Sequence, residues 1–138
     1  METTCETRLE ARKFLLSLFA DLADDKNYEP RFKANHRGLH EFFWRVKQDA
    51  QTGAFVQDFL FDTNGNYPHC EQIDELLQEF QLSGVLSRPN PTYKFNDIRV
   101  KKSPYSDEFK NRLTPTQVDA YGGAVAAFKR ELGVAASK

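Results

Sequence analysis

Cysteine is nearly missing from this chain: Cys5 and Cys70 are the only two among 138 residues, too few for a disulfide scaffold. Long apolar runs are missing as well, so neither a membrane span nor a signal-peptide core is expected. An excess of charge of one sign is also lacking, since 19 Lys and Arg face 20 Asp and Glu for a net charge of -1. A chain so balanced has no global attraction for nucleic acid or an anionic membrane, and any such binding must come from a local patch. These absences point to a cytoplasmic protein with no membrane partner. Methionine and tryptophan occur once each, whereas phenylalanine occurs twelve times. The core is therefore expected to be ring-rich and rigid. The length suits one domain over residues 1–138, and there are no internal repeats or low-complexity tracts.

The chain is organised around residues 59–96, which read strand, loop, helix and hairpin. Ile73, Leu76, Leu77 and Phe80 recur at i, i+3, i+4 and i+7, the spacing of one helical face. Pro68 near the start and Gly84 past the end bound a helix from about His69 to Leu82. After it, Val85 to Arg88 and Thr92 to Asn96 are β-prone runs on either side of Pro89-Asn90-Pro91, the pattern of a hairpin. The resulting expectation is an α+β, mostly helical, winged helix-turn-helix-like domain, with a β-hairpin wing and flanking N- and C-terminal helices. Its core covers about residues 8–98, a basic segment follows over 99–113, and a C-terminal helix occupies 114–133.

The flanks carry their own signals. Ala11, Leu15, Leu18, Phe19 and Leu22 predict a helix over 7–24, opened by a capping box at Thr7 and Glu10 or at Thr3 and Glu6. Residues 25–35 read mostly as loop around Pro30. Leu39, Phe42, Phe43 and Val46 predict a second amphipathic helix, capped by Asn35 and ended before Gly53. Phe55 to Phe61 alternates in the manner of a strand, with a helical reading left open by its apolar residues on both sides. Asp62 to Pro68 is a turn-rich loop; its Asp62-x-Asn64 start resembles a calcium loop, but Gly65 comes too early and no terminal Glu follows. Thr114-Pro115-Thr116-Gln117 opens the last helix as a capping box with Pro at its first position. Along that helix Val118, Tyr121, Val125, Phe128 and Leu132 form a seam stepping by 3 and 4. The small residues Gly122, Gly123, Ala124 and Ala127 beside it suit close approach of another helix. That helix is the chain's own first one or a second copy, so a homodimer through the seam is one expectation.

The run Arg12 to Ala23, the helix after it, and Gly65-Asn66-Tyr67-Pro68 ahead of a helix and wing resemble small bacterial and phage winged-helix proteins of the Panacea-domain, antitoxin-like type. The resemblance covers roughly residues 10–98. It implies a winged-helix fold and a role in binding and neutralising a partner protein.

Charge separates two functions open to such a fold. A DNA reader places the helix before the wing in the major groove, but here that helix carries Glu71, Asp74, Glu75 and Glu79 and no Lys or Arg. Docking would press carboxylates against phosphates. A protein partner with a basic surface is favoured instead, met by Glu71, Asp74, Glu75, Gln78 and Glu79. The expectation is thus a non-enzymatic adaptor, inhibitor or antitoxin-like regulator. Its alternative is a DNA-binding transcriptional regulator that touches phosphates through Arg88, Lys94, Arg99, Lys101 and Lys102, part of a stretch that also holds Lys110 and Arg112.

Signals for chemistry are sparse. His36 and His40 are four apart, and His69-Cys70 could complete a zinc-type set of four. Against this, Gly38 lies between the first pair, and His69 and Cys70 would diverge on a helix. No CxxC, HExxH, phosphate-binding loop or nucleophile elbow occurs. The reading is therefore no catalytic residues, no cofactor and no metal. Trp44 and Tyr121 are expected in the core before any interface.

Overall fold

A computed structural model of the chain describes residues 11–87, 95–99 and 108–135. Helix α1 (Ala11–Asp24) leads into strand β1 (Tyr28–Lys33), and helix α2 (His36–Gln48) is followed by a 3-10 turn (Gly53–Val56). Helix α3 (Glu71–Leu82) precedes strands β2 (Leu86–Ser87) and β3 (Phe95–Ile98), and helix α4 (Pro115–Leu132) runs directly into strand β4 (Gly133–Ala135). Residues 108–111 add one helical turn ahead of α4. The architecture is α+β, dominated by helix, with one four-stranded antiparallel sheet in the order β2-β3-β1-β4.

The apolar stripes build the core as their spacing requires. Ala11, Leu15, Leu18, Phe19 and Leu22 of α1 are buried, as are Leu39, Phe42, Phe43 and Val46 of α2 and Ile73, Leu77 and Phe80 of α3. Phenylalanines meet ring to ring throughout. Phe19 stacks on Phe32 at 4.9 Å between centroids, Phe14 stacks on Phe55 at 5.1 Å, and Phe128 meets Phe32 edge-on at 5.4 Å. Such pairs add about 0.5–1.5 kcal/mol each beyond the area they bury. The helix boundaries follow local chemistry too. Asn35 caps α2 by accepting the Gly38 N–H, and Thr114 and Gln117 form the reciprocal capping box of α4. Gly84 closes α3 at φ +86°, a conformation that L side chains rarely adopt.

The structure departs from the sequence reading at four places. Residues 25–35 are not loop: β1 lies inside the sheet, with Arg31, Phe32 and Lys33 opposite Asp97, Asn96 and Phe95. Pro30 is accommodated where the β1–β4 ladder shifts register between Tyr28 and Phe32, a break that needs no proline N–H. Residues 55–61 are not a strand. Phe55 and Val56 complete the 3-10 turn, and the backbone groups that a neighbouring strand would have matched are taken by side chains. Gln72 accepts the Leu60 N–H at 2.9 Å and donates to the Asp58 carbonyl at 2.7 Å, while Lys47 donates to the carbonyls of Gln57 and Phe59. Helix α3 begins at Glu71 rather than His69, because His69 exchanges two backbone hydrogen bonds with Asp62. Gly133 ends α4 as expected but also starts β4, where a Cβ would meet the Lys129 carbonyl oxygen at 2.5 Å and the Tyr28 ring at 3.0 Å.

The C-terminal seam is used within this chain. Tyr121, Val125, Phe128 and Leu132 are buried in the core, and only Val118 stays partly exposed. Self-association through these five residues would require opening that core. Gly122 and Gly123 are exposed, and a Cβ on either would meet nothing within 4 Å, so no helix among the described residues approaches them closely. The β2–β3 pairing matches Leu86 with Ile98 and Ser87 with Asp97. The tip expected between those strands, with Arg88 and Lys94, lies outside the described residues, as do Lys101, Lys102 and the capping residues ahead of α1. No helix among the described residues is long and apolar enough to cross a membrane.

Candidate metal centre

Three elements bring together all the histidines of the chain. Helix α2 supplies His36 and His40, one turn apart and therefore on one face. Gly38 between them sits in the helix without breaking it. The loop closed by the Asp62–His69 bridge supplies Tyr67 and His69, and the first turn of α3 supplies Asp74. The donor atoms of His36, His40, His69 and Asp74 all lie within 4.8 Å of one another.

Asp74 is the hub. Its Oδ1 is 2.9 Å from His36 Nε2 and 3.0 Å from His40 Nε2, and its Oδ2 is 3.0 Å from His69 Nε2. The second nitrogens are also engaged in two of the rings. His36 Nδ1 is 2.8 Å from the Tyr67 hydroxyl, and His40 Nδ1 accepts the Cys70 backbone N–H at 3.0 Å. The His40 and His69 rings stack at 4.6 Å between centroids, and Arg37 lies over the Tyr67 ring at 5.7 Å. His40 is fully buried, whereas the side chains of His36, His69 and Asp74 are 47%, 40% and 38% exposed. The cluster thus has a dry floor and a wet mouth.

These surroundings move the titrations. Burial, the largest influence on His40, pushes its pKa below the usual imidazole value against the pull of Asp74, with His36 and His69 pushing the same way as burial. Burial raises Asp74, but hydrogen bonds from His40 and His69 and the nearby imidazoles outweigh it, and the carboxyl is held below its ordinary range. Position at the start of α3 also favours a carboxylate, since the first turn carries unsatisfied N–H groups.

The arrangement admits two occupants. A separation of 2.9–3.0 Å is that of an N–H···O hydrogen bond. It is also about the 3.0 Å between adjacent donors on an ion with six bonds of roughly 2.1 Å. Imidazole and carboxylate are the donor types that borderline divalent ions take.

Spacing offers His36, His40, His69 and Cys70 as a zinc-type set that Gly38 and helical divergence argue against; the structure brings the three histidines together without Cys70. His69 precedes α3, so the divergence of neighbours on a helix applies only to Cys70. The Cys70 side chain turns into the core, with its Sγ 3.2 Å from Gln72 Oε1, and burial raises its thiol pKa above the usual range. Its sulfur is not among the donor atoms that converge on Asp74. The carboxylate in its place, Asp74, is one that the charge pattern assigns to a partner surface, and no spacing signal points to Tyr67. Of the other residues assigned to that surface, Glu71, Glu75 and Gln78 are exposed, and Glu79 is bonded to Arg12 at 2.6 Å. Arg99 is exposed and donates to Ser87 Oγ at 3.3 Å. Comparison with protein-family models, with curated proteins and with solved structures gives no match, so the antitoxin-like resemblance rests on its own residues alone.

Proposed function

We propose that this protein binds one divalent transition-metal ion in the pocket formed by His36, His40, His69 and Asp74, and that the ion joins α2 to α3. The observation that carries this reading is the convergence of every histidine in the chain on one carboxylate. Nitrogen and oxygen donors with no thiolate suit zinc, iron, cobalt or nickel rather than the soft ions that thiolates select. Solvent reaches the pocket through the exposed His36, His69 and Asp74, which supplies an entry path. The simpler alternative, histidines sharing an acid through hydrogen bonds alone, predicts no ion uptake. Calorimetric titration of chelator-treated protein with Zn(II) is expected to show one saturable site per chain. Asp74→Ala and His69→Ala are expected to lose it. Wild-type protein that takes up no ion in competition with a chromophoric chelator would remove this function.

A second reading follows from the outer face of α3. Glu71, Glu75 and Gln78 are exposed and lead along one stripe to Leu82, a leucine 83% exposed. An acidic stripe ending in an apolar tip suits a protein partner with a basic surface. On this reading the chain is a non-enzymatic adaptor, inhibitor or antitoxin-like regulator. The order α2, α3, β2, β3 supports a winged-helix arrangement for it. Asp74 and Glu79 leave the contact set, because each already has partners within the chain. Capture from the native cell with Glu71→Lys/Glu75→Lys protein should fail if the stripe is the docking face, and unchanged capture would dismiss it. The DNA-reading alternative keeps only Arg99 among the described residues.

A further inference from the structure

The three imidazoles of the pocket are not equivalent, and their second nitrogens distinguish them. A neutral imidazole has one N–H and one lone pair. In His40 the lone pair is spent: Nδ1 accepts the Cys70 backbone N–H at 3.0 Å. The ring proton therefore sits on Nε2, where it donates to Asp74 Oδ1 at 3.0 Å. For Nε2 to ligate, His40 would have to give up its last proton or leave a buried backbone N–H unpaired.

His36 is under no such constraint. Its Nδ1 faces a tyrosine hydroxyl at 2.8 Å, and a hydroxyl can accept as readily as donate. The His36 proton can move to Nδ1, with Tyr67 as acceptor, and free Nε2 for an ion. A metal-bound histidine usually has such a second partner. His69 has a ring 40% exposed, so its Nδ1 proton can go to water while Nε2 ligates.

Resting on the metal-binding reading, we propose that the ligands are His36 Nε2, His69 Nε2 and the Asp74 carboxylate. His40 is then a positioning residue that holds the carboxylate from beneath. The remaining coordination positions open to solvent and take water or a small anion with an oxygen or nitrogen donor. Exposure agrees with this division, since the three ligands lie at the mouth and His40 lies at the floor. Two histidines and a carboxylate form a facial set with exchangeable positions, unlike the closed four-ligand sites that only brace a fold. The site is thus built for an ion that meets a second molecule.

Cobalt(II) reports on this directly. Wild-type protein loaded with one equivalent should show the weak visible bands of a five- or six-coordinate ion, and azide should shift them. Intense tetrahedral bands that ignore azide would overturn the three-ligand assignment while leaving metal binding intact, whereas no cobalt uptake would overturn metal binding itself. Variants sharpen the test. His36→Ala and His69→Ala should abolish stoichiometric binding. His40→Leu should keep the one-to-one stoichiometry and weaken affinity by about 10–100-fold. His40→Gln, which retains an N–H donor and an acceptor, should recover most of that loss; if it binds as poorly as His36→Ala, His40 is a ligand and the proposal fails.

Discussion

Two polar clusters cross the molecule, and they are built on opposite terms. Between α1 and α4, Ser17 and Tyr121 share a hydrogen bond of 2.5 Å, and the Tyr121 hydroxyl donates to Asp21 at 2.5 Å. Ser17 and Tyr121 are buried, and Lys110 reaches both Asp21 and the Tyr121 ring from the rim. Between α2 and α3, one carboxylate serves three imidazoles, and three of those four side chains are open to solvent. The first cluster runs from the buried Ser17 and Tyr121 out to Asp21 and Lys110 at the rim, and each group in it has a partner that holds the helices together. The second concentrates donor atoms beyond what docking needs and leaves them within reach of solutes. What separates a brace from a receptor here is the surplus of donors at an open mouth, rather than the presence of buried polar atoms.

That contrast can be broken in several ways. The largest effect should come from the second cluster: Zn(II) at 100 times its dissociation constant should stabilise the wild type by about 2.7 kcal/mol. The gain, read as a rise in the urea midpoint, should vanish in Asp74→Asn. A brace that also bound ions would keep part of it. Tyr121→Phe should then cost about 1–2 kcal/mol by leaving the buried Ser17 hydroxyl without this partner. Its zinc affinity should match the wild type, and a variant that lost zinc would show the clusters to be coupled.

Smaller effects test the outer face of α4. Gly122→Ala and Gly123→Ala should each stabilise by up to about 1 kcal/mol, since a Cβ meets open space and alanine is the better helix former. A loss of stability would mean that another surface rests there. The smallest effect belongs to Asp25, whose carboxyl is held below its ordinary range chiefly by the hydrogen bond from Lys129 at 2.7 Å, with help from the Asn27 N–H. A depressed folded-state pKa gives stability that is complete above the unfolded value of about 3.9. It is lost as pH falls through the folded value. Asp25→Asn should therefore narrow the stability gap between pH 6 and pH 3 by a few tenths of a kcal/mol, as expected for a pair near the surface. Acid melts of the two proteins that run parallel would exclude the contribution.

How much of this was legible in the residues depends on how local each determinant is. The stripes of α1, α2, α3 and α4, the Asn35 cap, the Thr114–Gln117 box and the Gly84 stop are settled within a few positions, and each stands where its spacing predicts. Strand β1 was hidden because Pro30 argues against a central strand, and only the shifted register opposite β4 makes room for it. The 55–61 segment alternates like a strand, yet its backbone is satisfied by Gln72 and Lys47, residues that no local window connects to it. The histidine cluster fell between these cases. Its i, i+4 pair was visible, but the helix start was read at about His69, two residues early, which set the third histidine inside the helix and hid its approach to Asp74. The backbone bridge from Asp62 to His69, which turns that histidine toward α2, is a contact of the fold and has no signature in spacing.

The position of β1 has a bearing on how the molecule is made. One side of that strand is paired by β3 and the other by residues 133–135, so on the ribosome it must wait, with a side unmatched, until α4 has been translated. Until then its exposed edge is an invitation to strangers. Pro30, which can donate nothing along that edge, keeps the waiting strand from being a good template for them.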